Sequence, residues 1–158
     1  MINQPMSDKS VAPTNDRQAL MRICAEATAE ELRRALDECG GVPEAEDVRP
    51  PEAGLVMLRG RIGGDGAPFN VGEATVTRAV VRLASGTIGY SYLMGRSAER
   101  ARLAAIVDAL GQDDAWRAKL DEVLVTPVSA RREAELALQR ERAAATRVNF
   151  FTLVRGED

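Results

Sequence analysis

Histidine is absent from all 158 residues. Its absence removes Ser-His-Asp and Cys-His nucleophilic catalysis and most zinc hydrolase chemistry, each of which uses an imidazole near its working pKa. Lysine is nearly absent as well. Lys9 and Lys119 are the only lysines among 21 basic residues, so positive charge resides on arginine, whose planar fork grips carboxylate or phosphate better than an ammonium does. Aromatic residues make up 4% of the chain and the net charge is −3, a poor footing for nucleic acid, and no RNP-type pattern is present. No apolar run approaches the roughly 20 residues that span a bilayer, and Met1 to Asn15 is polar, without a signal-peptide apolar stretch. A cytoplasmic protein with neither a nucleic-acid nor a membrane partner is therefore expected. Cys24 and Cys39 lack metal-ligand spacing and are expected to be reduced and buried, with no metal site.

What is present is ordinary globular material, with 45% hydrophobic and 28% charged residues, at a length suited to one core. Residues 1–14 read as a flexible arm and 15–158 as a single domain. The fold class expected is α+β. Asn15 or Asp16 can cap a first helix to about Ala27, and Thr28 with Glu31 fits a capping box for a second, which ends at Gly40-Gly41. Leu32, Ala35, Leu36 and Cys39 form its buried stripe. Pro43 to Pro51 reads as a short edge strand that Pro50-Pro51 stops.

From about residue 54 to 94 the period changes to that of an antiparallel β meander. Leu55 to Ile62 is its first strand, Gly63-Gly64-Asp65-Gly66 a turn, Phe69 to Leu83 a long second strand bulged near Gly72, and Thr87 to Met94 a third. Alternation puts Thr75, Thr77, Ala79, Val81 and Leu83 on one face and Val76, Arg78, Val80 and Arg82 on the other. Tyr90 and Tyr92 share a face with Ile88 and Met94, and core packing is expected for them. Helices follow over about 97–122, capped by Ser97 with the stripe Leu103, Ile106, Val107 and Leu110. A further helix spans about 130–145 after an extended link at Leu124 to Pro127 and a cap at Ser129. The chain closes on a strand over about 147–154 with large apolar groups on both faces, expected to be covered either inside this fold or by a partner, with Phe150, Phe151 and Leu153 as the candidate partner interface.

Two constellations stand out. The glycine-rich Gly60 to Gly66 can be a plain hairpin turn or a loop touching an anion or a partner; it lacks the Lys-Ser/Thr of a nucleotide-triphosphate loop. Arg61, Arg78, Arg82 and Arg96 make the β unit locally cationic, either as a solvated face or as a surface for phosphate groups or an acidic partner. The carboxylate pairs Asp113-Asp114 and Asp121-Glu122 fall at helix ends, where capping explains them.

The segments Arg61 to Gly66, Gly72 to Ala79, Val81 to Leu83, Gly86 to Ser91, Gly95-Arg96 and Ala145 to Gly156 are similar to PhnG, the G subunit of the bacterial carbon–phosphorus lyase core complex. The resemblance covers nearly all of the chain from about Arg17 onward. It implies an accessory subunit in phosphonate breakdown under phosphate starvation, with subunits I, H and J as core partners and L acting in the pathway. It further implies that the assembled complex displaces adenine from ATP by a phosphonate, giving ribose 1-phosphonate 5-triphosphate. The I subunit is implied to carry that step, and the J subunit to break the carbon–phosphorus bond at an iron–sulfur cluster. ATP would then be a substrate of the complex, with no cofactor and no catalytic residue in this chain, which lacks the cysteine set for a cluster. The arginines would hold subunits together or face the triphosphate, and subunit contact is the preferred reading. A stand-alone nucleotide- or anion-binding protein is the alternative.

Overall fold

Local signals set the first elements in the computed structural model, which describes residues 14–146 other than 64. Helix α1 spans Thr14–Glu26 and α2 spans Ala29–Glu38. Between them the Thr28 hydroxyl accepts from the Glu31 amide at 3.2 Å, and the Glu31 carboxylate accepts from the Thr28 amide at 2.8 Å. This is the reciprocal capping box the sequence spells. At the other end Gly40 and Gly41 take φ of +118° and +102°, and the Gly41 amide donates to the Leu36 carbonyl at 2.9 Å, closing the helix. Replacing Thr28 by Ala is expected to remove about 1 kcal/mol of stability, read as a lower denaturant midpoint at unchanged slope. An unshifted midpoint would refute it.

Strands β1 (Ala45–Gly60), β2 (Phe69–Leu83) and β3 (Ile88–Met94) form one antiparallel sheet in the order β1-β2-β3. Helices α3 (Ala98–Leu110) and α4 (Asp114–Leu120), a π turn (Asp121–Val125) and α5 (Thr126–Ala145) follow. The α+β class is as expected. The bulge expected near Gly72 is present: Leu58 pairs with Gly72 and Arg59 with Asn70, so Val71 has no opposite number.

Two readings are corrected. The chain does not stop at Pro50-Pro51; β1 runs through them for 16 residues, with register breaks between Asp47 and Arg49 and between Arg49 and Glu52. Proline fits because β1 is an edge strand and the ladder is interrupted where the missing N–H groups would have been used. Nor is Leu124 to Pro127 extended, with a cap at Ser129. The chain stays helical through it: the Thr126 amide reaches back five residues to the Asp121 carbonyl in a π turn, and Pro127 follows directly, its missing N–H tolerated where the regular i→i−4 ladder is already interrupted.

Helix α3 is the centre of the molecule. Ala101 and every residue from Leu103 to Leu110 are buried, since the sheet lies on one side of the helix and α1, α2 and α4 on the other. Against it β2 presents Thr77, Ala79, Val81 and Leu83, as alternation requires, while Leu20, Cys24, Leu32, Leu36 and Leu120 fill the helical side. Cys24 and Cys39 are free and buried, and burial pushes the Cys24 thiol up to about 12. At the edge of this layer Arg131 fastens α5 to α2, donating to Glu31 at 2.7 Å and to Glu135 at 2.7 Å. Burial pushes the Glu31 carboxyl up, but Arg131 and the Thr28 amide outweigh it and hold the group below its usual range.

The expected N-terminal arm (residues 1–13 of it), the C-terminal strand, and with it Phe150, Phe151 and Leu153, lie outside the described residues.

Candidate interaction surface

The outer sheet face is built by the same alternation that builds the core. Strand pairing sets Tyr92 and Glu52 beside Arg78, Tyr90 beside Val80, and Ile88 and Glu46 beside Arg82. Tyr90 and Tyr92 are 47% and 54% exposed, which overturns their assignment to the core. Gly89, Ser91 and Leu93 are the β3 residues that meet α3, and no described element covers the opposite face.

Four arginines were singled out, and the fold separates them. Arg78 and Arg82 do project together, each tied across the strands, Arg78 to Glu52 at 3.1 Å and Arg82 to Glu46 at 3.2 Å. Arg96 sits in the turn after β3, where Gly95 has φ +97°, its amide donates to the Thr75 carbonyl at 2.9 Å, and its carbonyl accepts from the Thr77 hydroxyl at 2.6 Å. Arg61 follows the last residue of β1, past the far end of the hairpin. From Thr75 to Phe69 the strand climbs roughly 20 Å, so Arg61 and Arg96 cannot share one ligand-sized pocket. A surface groove of about 760 Å³ beside the start of β1 includes Arg82 and Arg102. Both are engaged, Arg82 as above and Arg102 with Asp47 and the Ala45 carbonyl, each at 2.8 Å. Asp113 caps α4 and Asp121 pairs with Arg117, so those carboxylates serve helix ends.

Beyond Val76, which faces Met94 at the end of β3, no third strand accompanies β1 and β2 among the described residues, and the two continue as a two-stranded arm. Apolar groups appear on both of its sides. Leu55 and Met57 lie on the side continuous with the core face, at 62% and 58% exposure; Leu58, Phe69 and Val71 lie on the other, with Ile62 past the end of β1. Isolated two-stranded ribbons are marginal in water, and an exposed apolar one is a surface made to be covered.

Sequence reading missed the polar knot that braces this surface. Asp108, 1% exposed, accepts from Arg17 through both guanidinium donors at 2.9 and 2.7 Å and from the Tyr90 amide at 2.8 Å. Those bonds hold Arg17 above its ordinary pKa against an opposing effect of burial, and its guanidinium lies 5.8 Å from the Tyr90 ring centre. Nearby, Gln112 donates to the Ile88 carbonyl at 2.8 Å. The available signal was one acid inside the apolar run Leu103 to Leu110. Among the described residues no cluster of histidine, cysteine and carboxylate groups could hold a metal, and no helix is long and apolar enough to cross a membrane.

Fold and surface define a class of α+β protein in which a two-stranded arm extends from a sheet backed by a buried central helix. Comparison with known proteins supplies the particular one: residues 15–156 match the family described as phosphonate metabolism protein PhnG, and the chain belongs to that family. It is 56% identical over 138 residues to the alpha-D-ribose 1-methylphosphonate 5-triphosphate synthase subunit PhnG of Rhizobium meliloti (strain 1021), covering 87% of this chain and 88% of that protein.

Proposed function

We propose that the chain is a subunit of a multi-subunit synthase of phosphonate catabolism, the enzyme that displaces adenine from ATP by a phosphonate to give ribose 1-phosphonate 5-triphosphate. The observation that carries this reading is the 56% identity, over most of both chains, to a protein named as a subunit of that synthase. The arm supports it, since an apolar ribbon exposed on both sides fits a protein that spends its life in a complex. In this reading the partners are subunits I, H and J, with L acting in the pathway, the complex is cytoplasmic, and ATP is its substrate while this chain holds no cofactor. Co-expression with those subunits tests it. Recovery of a complex that releases adenine from ATP and phosphonate is expected, and tight ATP binding by the lone chain in calorimetry would favour a stand-alone nucleotide-binding protein instead.

Arg78 and Arg82 serve subunit contact in this proposal. Because their ion pairs with Glu52 and Glu46 are about half-exposed, Arg78→Ala and Arg82→Ala should each change the stability of the free chain by under about 1 kcal/mol. Recovery of the complex should fall, while the complexes that do form keep their adenine release. The reverse pattern, full assembly with slowed release, would place these arginines at the triphosphate.

A further inference from the structure

Helix α3 and strand β3 are fastened by a row of polar bonds that stops one rung short. The Leu83 amide donates to the Thr87 carbonyl and the Gly95 amide to the Thr75 carbonyl, so in the antiparallel ladder Gly89, Ser91 and Leu93 turn their main-chain groups to β2. Ile88, Tyr90 and Tyr92 turn theirs to the other edge. There the Ile88 carbonyl accepts from Gln112 at 2.8 Å, and the Tyr90 amide donates to Asp108 at 2.8 Å. Four residues of helix rise about 6 Å and two residues of strand about 6.7 Å, so Gln112, Asp108 and Ala104 keep step with Ile88, Tyr90 and Tyr92. At the third rung the helix offers only a methyl group. The Tyr90 carbonyl and the Tyr92 amide turn to that rung, and neither has a hydrogen-bond partner among the described residues.

A recess of about 40 Å³ lies at this rung, between Met21 and Cys24 of α1, Ala104 of α3 and the stretch of β3 from Tyr90 to Tyr92. Ser91 also lines it. That residue is 6% exposed, and its hydroxyl has no hydrogen-bond partner among the described residues.

We infer that the recess is a binding site for one water molecule, which stands in for the polar side chain that Ala104 lacks and bonds the Ser91 hydroxyl, the Tyr90 carbonyl and the Tyr92 amide. The volume fits, since a water takes up roughly 30 Å³ in the liquid and a buried one makes about three hydrogen bonds. The chemistry fits as well: the rung offers one acceptor, one donor and a hydroxyl that can act as either. A larger ligand has no room. An ion has no counter-charge, because no charged side chain lines the recess among the described residues. The water completes the row begun by Gln112 and Asp108, so that α3 satisfies the β3 edge from Ile88 to Tyr92 directly at two rungs and through solvent at the third. The site does not depend on what the chain assembles with.

A crystal structure of the full chain, at a resolution that shows ordered solvent, reads the site directly. Expected is a water within about 3.2 Å of Ser91 Oγ and of the Tyr90 carbonyl or the Tyr92 amide. Stability supplies a second readout. Ser91→Ala takes away the hydroxyl that anchors the water, and Ser91→Cys replaces it by a group of similar shape that bonds weakly. Each is expected to lower the folded-to-unfolded ratio about fivefold, seen as a lower denaturant midpoint at unchanged slope. A dry recess predicts the opposite sign, because both variants would then relieve an orphaned buried hydroxyl. A structure with no solvent density beside Ser91 Oγ, or a midpoint raised by Ser91→Ala, would overturn the inference.

Discussion

Gly89→Ala is expected to destabilise the chain by about 4 kcal/mol, a large fraction of the stability of a protein this size. A methyl group there would stand 1.9 Å from the Ala105 carbonyl oxygen, 2.7 Å from the Ala109 amide nitrogen and 2.8 Å from the Ala109 Cβ. Two of these are backbone atoms of the buried central helix, so no rotamer change relieves the overlap and α3 must move off the sheet. Moving it opens the packing on both sides at once, since α3 has the sheet on one face and α1, α2 and α4 on the other. Gly72→Ala is the control, with nothing within 4 Å of its added Cβ, and should differ from wild type by under about 1 kcal/mol. Denaturant titration of the two variants decides the matter. Equal midpoints would mean that the close approach of β3 to α3 is wrong.

Asp108→Ala is expected to remove about 3 kcal/mol, because it strands the Tyr90 N–H and the Arg17 guanidinium together. Arg17 keeps 30% of its side chain exposed and can turn to water, which softens the loss; the Tyr90 amide has no such escape while β3 stays seated. Arg17→Ala leaves the opposite charge behind at a site 1% exposed, so its effect should be at least comparable. The double variant should then be less destabilised than the sum of the two, because the second change removes a group that the first had orphaned. Additive effects in that cycle would show that the pair does not act as a unit. Since the Asp108 bond to Tyr90 anchors β3, the outer sheet face should loosen with it, and faster amide exchange at Tyr90 is the local signature.

Thr28, Ser97 and Gly40-Gly41 were readable as helix boundaries because capping is settled within three or four residues, and the structure places α2 between Thr28 and Gly40 and starts α3 directly after Ser97. The two faces of β2 were readable for the same reason, as alternation needs no knowledge of neighbours. Membership in the PhnG family was also legible, through long matching segments in the central block and at the C-terminal end. Tyr90 and Tyr92 were misplaced because an apolar stripe on a strand does not say whether a helix will cover it. Pro127 was misread because a proline that usually marks a helix break can also follow a π turn inside a continuing helix, and tertiary packing of Leu124 and Val128 decides between them.

The sequence by itself determined the α+β class, the helix ends, the inward and outward sets of β2 and the lack of any imidazole chemistry. Each follows from local backbone preference or from composition. Tertiary structure alone decided that α3 lies buried between two layers, that Asp108 is neutralised by an arginine 91 residues away, and that β3 ends short of β1 and β2 and leaves an apolar arm. Those outcomes depend on which element shields which, and no period or motif in a single chain encodes shielding.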